Sequence, residues 1–244
     1  MIRIVNLKKT FGSQEVLKGV NLTIQTGSIN VILGRSGAGK SVLIKHIIGL
    51  LKPDSGEIYI DDVEITKLSD REMDAVRERF SMLFQEGALF DSITVWENVA
   101  FPLKERLNLS RSETEKRVAK VIKEVELTGM EHKIPAELSG GMKKRVALAR
   151  ALVTDPKIVL FDEPTAGLDP ITENSIRDLI MRIHKNQKNT YVMISHNIDF
   201  TMNIADKIAL LYDGRIIAEG TPEEIFSSDN AAIANYMKNG NRKK

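Results

Sequence analysis

The chain has 244 residues, a formal net charge of +2 and no cysteine. This length suits one large domain or two small ones, and so small a net charge does not by itself indicate a nucleic-acid partner. Without cysteine the chain cannot form disulfides, use a thiol nucleophile or bind metal through thiolates. The first residues lack the charged-then-apolar order of a signal peptide, and no apolar run is long enough to span a bilayer, so a soluble cytoplasmic protein is expected.

Two segments near the amino terminus predict an antiparallel β-sheet. Residues 2–7 and 20–24 are rich in apolar, β-forming residues, and the second alternates strictly. Phe11 falls between them in a polar loop. Its ring could stack on a nucleotide base or could simply cover the edge of the sheet.

A phosphate-binding loop follows the next predicted strand. Residues 29–33 predict a buried parallel strand, and residues 42–48 predict a helix. The motif G-x-x-x-x-G-K-[ST] between them is matched by Gly34, Arg35, Ser36, Gly37, Ala38, Gly39, Lys40 and Ser41, with Val42 directly after it. Loop amides and the positive end of the helix dipole would surround an anion. Lys40 would reach the β- and γ-phosphates, and the Ser41 hydroxyl would bind Mg²⁺.

The stretch from residue 80 to residue 101 combines polar breaks with large apolar residues. These are Phe84, Leu89, Phe90, Trp96 and Phe101. Such a stretch is either the rim of the core or a docking surface for a partner. Gln85 follows an apolar run, so it stands where a strand would end.

Two capping boxes predict helices. Ser69 with Glu72 begins a short helix that ends near residue 79, and Ser110 with Glu113 begins a longer one. The second helix would bury Val118, Val121, Ile122 and Val125, which share one helical face.

A second glycine-rich helix start lies further along the chain. Leu138, Ser139, Gly140, Gly141 and Met142 lead directly into a predicted helix over residues 143–152. Its exposed amides form a second anion site. One phosphate chain bound inside one domain would not obviously need it.

Acidic residues follow the next buried strand. The apolar residues 158–161 end in Asp162, Glu163 and Pro164. Carboxylates at the carboxyl end of a parallel strand lie where ligands bind in open α/β sheets, and the phosphate loop needs such a partner for its metal. His196 follows a predicted strand over residues 191–194 and reaches the same sheet edge, which favours a functional role over a structural one.

The remaining signals are local. Asp169 and Pro170 predict the start of a helix that buries Ile176, Leu179, Ile180 and Ile183. Asp213 with Gly214 predicts a hairpin turn, and Thr221 begins a last helix. The basic tail is expected to be solvated, with proximity to an anionic membrane as the alternative; it comprises Arg242, Lys243 and Lys244. Since no internal repeat appears, the chain should contain one nucleotide-binding unit.

This ordered set of motifs closely resembles the ATPase subunits of ATP-binding-cassette (ABC) transporters, over nearly the whole chain. The resemblance implies roles for the matching residues. Phe11 would be the adenine-stacking aromatic, Gly34 to Ser41 the Walker A loop, and Gln85 the Q-loop residue between metal and transporter. Ser139 to Gly141 would be the signature facing the ATP of a partner chain, Asp162 and Glu163 the end of Walker B, Asp169 the D-loop aspartate and His196 the switch histidine. Catalysis would then rest on Glu163, His196, Lys40 and Gln85, and Mg²⁺ on Ser41, Gln85 and Asp162.

The resemblance also implies a fold and partners. We expect an α/β P-loop NTPase of the ABC type, with a mixed-sheet core, an antiparallel β subdomain and a helical insert subdomain. A single domain over residues 1–244 would divide into a core with β subdomain (1–85 and 157–220), a helical signature subdomain (about 86–156) and a C-terminal helix with basic tail (221–244). Expected partners are a second copy of the chain and a membrane permease seated near residues 85–96, with the chain peripheral on the cytoplasmic face of the inner or plasma membrane.

Two departures from the commonest pattern narrow the resemblance. Met142 replaces the usual glutamine after Ser-Gly-Gly, and Phe11 replaces the usual tyrosine. Residues 34–42, 84–92 and 138–150, the last range with Met142, are together similar to the ATPase of MCE-associated, Mla-type phospholipid transporters, which implies an MCE-domain substrate-binding subunit as a further partner. Import of a polar solute such as an amino acid uses the same catalytic residues and stays an alternative.

Other classes of P-loop protein fit less well. ABC-type ATPases that act on nucleic acid carry a long coiled-coil insert or two cassettes with a basic linker, and neither is present, so no nucleic-acid partner is expected. A small GTP switch would require an Asn-Lys-x-Asp motif after a strand, which the chain lacks.

Overall fold

The computed structural model describes residues 1–107 and 109–228, together with residues 233 and 236. The described strands are β1 Ile2–Phe11, β2 Gln14–Ile24, β3 Ile29–Leu33, β4 Ser55–Ile60, β5 Val63–Glu64, β6 Phe80–Leu83, β7 Ile158–Asp162, β8 Thr190–Ser195, β9 Lys207–Tyr212 and β10 Arg215–Gly220. The described α-helices are α1 Lys40–Ile47, α2 Asp70–Arg77, α3 Val95–Arg106, α4 Arg111–Glu124, α5 Gly140–Leu152, α6 Pro170–Gln187, α7 Ile198–Ile204 and α8 Pro222–Phe226.

The chain divides into two compact units. The first comprises Met1–Arg77 and the described part of Thr190–Lys244, and the second comprises Glu78–Asn189. The predicted basic tail, residues 242–244, lies outside the described residues. The predicted subdomain bounds stay a prediction.

The first unit contains the predicted antiparallel sheet, with strand order β2-β1-β4-β5. Ile2 pairs with Ile24 on one side and with Ile60 on the other, and all three side chains are buried. Both amino-terminal strands are longer than the sequence predicted. Phe11 was therefore wrongly assigned to a polar loop: it is the last residue of β1 and pairs with Gln14 across a two-residue turn. Polar residues on the outer face hide these strand ends from a search for apolar alternation.

A second sheet in the first unit is mixed, as predicted. Its strands β10-β9-β3-β8 are consecutive neighbours, with β3 parallel to both β8 and β9 and with β10 antiparallel to β9. All five residues of β3 are buried, as the apolar run predicted. Asp213 and Gly214 form the predicted hairpin turn, each with positive φ (46° and 73°).

The second unit combines the parallel pair β6 and β7 with helices α3 to α6. Helix α4 begins at the predicted capping box of Ser110 and Glu113 and buries the predicted apolar face. A further capping box, Thr94 with Glu97, begins α3 and was not predicted.

The Ser69 box of the first unit is also present, although its helix α2 ends at Arg77 rather than near residue 79. In the described ranges, none of the helices combines the length and the apolar character needed to cross a membrane.

His46 is a buried histidine on α1, only 1% exposed. Its Nδ1 donates a hydrogen bond to the Val42 carbonyl at 2.7 Å, because a carbonyl oxygen can only accept. Burial lowers the pKa of His46 below its ordinary value, so the native ring resists protonation.

Acid should therefore destabilise the protein partly through His46. The unfolded ring takes up a proton near pH 6.5 while the native ring does not, so the free energy of unfolding falls as the pH drops below about 6.5. Urea unfolding at pH 7.5 and 5.5 should show a smaller loss for His46→Leu than for the parent. His132→Gln, at an exposed histidine, serves as the control. An unchanged pH dependence in His46→Leu would show that His46 does not carry this effect.

Candidate functional site

The lysine side chain of the phosphate loop is buried and bonded to the loop backbone. Lys40 is 5% exposed, and its Nζ donates to the carbonyl oxygens of Gly34 and Arg35 at 2.8 and 3.1 Å. Gly34 N–H donates to Ser195 O at 3.1 Å, and a Cβ on Gly34 would lie 2.7 Å from Leu211 O, which explains the glycine. The loop thus presents a buried cation that can transfer its hydrogen bonds from backbone carbonyls to phosphate oxygens.

Helix α1 begins without a side-chain cap. Gly39 occupies the N-cap position with φ 99°, and no acidic residue lies in the first turn. The first N–H groups of a helix have no partner within it, so this uncapped end suits the anion that the sequence predicts there, and anion binding stays a prediction.

Strand β2 supports the loop from one side, which the sequence did not reveal. A Cβ on Gly39 would lie 3.0 Å from Leu17 Cδ2 and 3.2 Å from Val16 Cγ1. The two side chains therefore close off the space beside the loop and set its position. Only the alternation of β2 could have indicated that one of them faces inward.

His196 and the phosphate loop both begin at the same edge of the mixed sheet. Leu33 at the end of β3 pairs with Ser195 at the end of β8, so Gly34 and His196 both follow directly. His196 is exposed. Phe11 is 46% exposed at the end of β1, with Lys9 Nζ 5.5 Å from its ring centroid. The roles of His196 and Phe11 stay predictions.

The second unit brings together Gln85, Asp162 and Glu163. Strands β6 and β7 are parallel, with Leu83 opposite Phe161, so Asp162 at the end of β7 and Gln85 and Glu163 just after the strands lie at one sheet edge. Lys144 of α5, 8% exposed, donates from Nζ to the Gln85 carbonyl.

Lys144 was not predicted as part of this site. Burial lowers its pKa, while the charges of Glu86, Asp162 and Glu163 act in the opposite direction. The ammonium therefore lies within electrostatic reach of both predicted Walker B carboxylates. Glu163 also has φ 47°, a backbone conformation that residues with side chains rarely adopt and that often occurs at functional positions.

The predicted signature and D-loop lie against each other within the second unit. Ser139 caps α5 by accepting from Met142 N at 3.3 Å. Asp169 caps α6, accepting from Thr172 N at 3.0 Å and from Thr172 Oγ1 at 2.6 Å. These bonds lower the pKa of Asp169. A Cβ on Gly141 would lie 2.6 Å from Thr172 Cγ2, so the helix start and the capped turn are in close contact.

Adding a methyl group at Gly141 should strain this contact. Gly141→Ala should lower the free energy of unfolding by about 1–3 kcal/mol, the usual cost of overpacking. Gly140→Ala is the matched control, since its Cβ would lie at an ordinary 3.6 Å from Leu168 Cδ2. Thr172→Ser, which removes Cγ2 but keeps the hydroxyl bonded to Asp169, should restore stability to Gly141→Ala in urea unfolding. Equal stability of the two alanine variants, or no recovery in the double variant, would contradict this packing.

Comparison with known proteins agrees with these motifs. The family profile described as ABC transporter matches residues 17–166. The probable ribonucleotide transport ATP-binding protein mkl of Mycobacterium tuberculosis is 41% identical over 241 residues, covering 99% of this chain and 67% of that protein. The intermembrane phospholipid transport system ATP-binding protein MlaF of Haemophilus influenzae is 40% identical over 238 residues, covering 98% and 90%. The methionine import ATP-binding protein MetN of Rhizobium johnstonii is 41% identical over 242 residues, covering 99% and 67%.

A solved structure shares the fold. The dimeric, post-hydrolysis state of the ATP-binding cassette MJ0796, bound to ADP and Pi, superposes with a TM-score of 0.81 at 35% identity, covering 91% of this chain and 99% of that one. The predicted fold class is thereby confirmed. With a family profile over residues 17–166, relatives at 40% identity or more along nearly the whole chain, and a phosphate loop with a buried lysine, the chain belongs to the ABC transporter family and is an ATPase.

Proposed function

We propose that the chain is the ATP-hydrolysing subunit of an ABC transporter and drives a separate membrane permease that moves phospholipid or another lipid between membranes. The observation that carries the proposal is a phosphate loop with a buried lysine and an uncapped helix start, together with a second glycine-rich helix start in the other unit. Both ends can bind phosphate oxygens through backbone N–H groups.

ATP would be held mainly by backbone amides and one lysine. The first-turn amides of α1 and Lys40 Nζ would bind the β- and γ-phosphates, and Phe11 would stack on the adenine. The Ser41 hydroxyl, the Gln85 amide oxygen and the Asp162 carboxylate are the hard oxygen ligands that Mg²⁺ prefers, so these residue types fit the metal. Bound Mg²⁺ would neutralise phosphate charge that builds up during transfer.

Glu163 would act on the attacking water. Glu163 directly follows a buried strand, and its φ of 47° sets the direction in which its side chain leaves the backbone, which suits a residue that must orient or deprotonate one water molecule. His196 would hydrogen-bond the γ-phosphate. Hydrolysis of phosphoanhydrides depends on positioning and charge neutralisation more than on covalent catalysis, and these side chains provide both.

Two copies of the chain would share two ATP molecules. The start of α5, with Ser139, Gly140 and Gly141, faces no phosphate of its own chain in this proposal; it would bind the γ-phosphate held by the Walker A loop of the other copy. A two-fold arrangement gives each helix start such a partner. The ADP-bound cassette MJ0796, which is dimeric, supports this assembly.

The permease would dock on the aromatic residues after β6. Phe84 and Phe90 are each 43% exposed and Phe101 is 37% exposed, and the rings of Phe90 and Phe101 lie 4.7 Å apart. Neighbouring exposed aromatic rings are typical of protein contact surfaces and favour docking over a simple core rim. The chain would then be peripheral on the cytoplasmic face of the membrane.

Lipid as the transported substrate is supported by the similarity to MlaF and by Met142, which the chain shares with the Mla-type pattern. An MCE-domain protein would be the corresponding substrate-binding partner. The equally close similarity to MetN keeps import of an amino acid as the second candidate. Affinity purification of the chain from the membranes of its own organism would test the choice: an MCE-domain protein in the complex would support lipid transport, and a soluble amino-acid-binding protein would contradict it.

Replacing the proposed base should stop turnover without losing the nucleotide. We expect Glu163→Gln to lower ATP hydrolysis by about 10²–10⁴-fold, the usual contribution of a general base, while ATP binding persists and the dimer accumulates. Lys40→Ala provides the contrast, since it should lose ATP binding itself. Phosphate release and size-exclusion chromatography with ATP would measure both. Parental turnover by Glu163→Gln would show that another residue activates the water.

Reversing an exposed charge beside the aromatic residues should affect docking alone. Asp91→Lys should leave ATP turnover in solution unchanged but reduce co-sedimentation with membranes that contain the native permease. Asp62→Lys, a charge reversal at another exposed aspartate, in the other unit, is the control. Normal membrane recruitment of Asp91→Lys would count against docking at this surface.

A further inference from the structure

The Q-loop, residues 84–90, is fastened to helix α5 by side chains that the proposed mechanism does not use. Lys144 Nζ donates to the Gln85 carbonyl. Arg150 donates from its two terminal nitrogens to the Gly87 and Ala88 carbonyls at 2.6 and 2.8 Å. Three backbone carbonyls of one loop therefore accept hydrogen bonds from one helix.

A further contact between loop and helix is steric. A Cβ on Gly87 would lie 3.3 Å from Ala147 Cβ, so the loop backbone rests directly on that methyl group. Lys144, Ala147 and Arg150 are spaced by three residues and form one ridge along the helix surface. The loop backbone follows this ridge with positive φ at Gly87 (78°) and Ala88 (48°).

Burial removes water from both cationic side chains, which disfavours their charged forms. Lys144 is 8% exposed, and burial lowers the pKa of both Lys144 and Arg150. Buried cations are tolerated only when hydrogen bonds and opposite charges replace water. Here the Q-loop carbonyls replace water for both side chains, and Lys144 also faces the charges of Asp162 and Glu163. The loop is thus bound by charge-assisted hydrogen bonds, which are stronger than neutral ones.

The far end of the loop is fixed to α3. Phe90 N–H donates to Asn98 Oδ1 at 2.9 Å, and Asn98 Nδ2 donates to Phe90 O at 3.0 Å. Asn98 is fully buried. Arg150 also lies 5.9 Å from the Phe90 ring centroid. The exposed Phe90 ring is therefore connected to the same ridge as the loop backbone.

We propose that Lys144, Ala147 and Arg150 fasten the Q-loop to α5, so that loop and helix move as one body. In the second part of this proposal, Lys144 and Arg150 are positioning residues through which a protein seated on the loop shifts the ATP-facing start of α5. The second part rests on the proposed function, since it needs a partner on the loop and a nucleotide at Ser139. The fastening itself does not.

Hydrogen–deuterium exchange of the full chain tests both parts. The Gly87 and Phe90 amides report on the loop, since both are hydrogen-bonded in the native state. Without nucleotide, Lys144→Gln and Arg150→Gln should exchange at these amides about ten-fold faster than the parent. Arg150→Lys, which keeps the charge but cannot bond two carbonyls at once, should be intermediate. Lys143→Gln is the matched control, since Lys143 makes no hydrogen bond to the loop within the described residues.

Nucleotide provides the second readout. In the Glu163→Gln background, ATP with Mg²⁺ should slow exchange of the loop amides, and the Lys144→Gln and Arg150→Gln variants should lose that response while still binding ATP. Parental exchange rates in both variants without nucleotide would overturn the fastening. An undiminished response to ATP in both variants would overturn the transmission. A chain that binds ATP without forming a dimer would instead contradict the proposed function, and the comparison without nucleotide would still decide the fastening.

Discussion

The uncapped start of helix α1 is the constraint from which the site in the first unit follows. Helix α1 begins at Lys40 with no side-chain cap, and the first amides of a helix have no acceptor within the helix itself. Gly34 has no room for a side chain beside Leu211 O, and Val16 with Leu17 occupies the space beside Gly39. Lys40 supplies the matching cation. Packing around the loop and the chemistry of the loop therefore require the same glycines, and the anion they favour is a phosphate chain.

Helix α5 organises the second unit in a similar way. Its first turn packs Gly141 against Thr172 of α6, while Arg145 donates to Ser175 Oγ at 2.9 Å and to Glu126, which also accepts from Arg182. Further along, Lys144 and Arg150 hold the Q-loop. One helix thus contacts the capped turn of the D-loop, the Q-loop and, through the charge of Lys144, the Walker B carboxylates. Because α5 contacts all of these segments, a displacement of any of them would shift the glycine-rich start of α5.

Much of the site was predictable because its residues are constrained locally. A phosphate loop requires glycines and lysine at fixed spacing, which makes it recognisable in a sequence. Helix caps at Ser110, Asp169 and Thr221 bond to backbone amides within three residues, and these three predicted caps are confirmed. Phe11 was misplaced because the polar outer face of β1 conceals its length. Lys144, Arg150 and Thr172 were missed because their partners are distant in sequence. Lys144 lies 59 residues from Gln85, and Arg150 lies 62 and 63 residues from Ala88 and Gly87. Thr172 lies about 30 residues from Gly141, and only folding brings each pair together. Long-range pairs of this kind leave no periodic signal in a single sequence.

We propose above all that ATP is cleaved only where two copies of this chain meet, with each copy completing the other's phosphate site through its second glycine-rich helix start. The most direct test is the specific ATPase activity of the purified chain as a function of its own concentration. Our account predicts that activity per subunit falls toward zero on dilution and rises steeply where dimers form. Activity per subunit that stays constant down to concentrations at which the chain is strictly monomeric would contradict it.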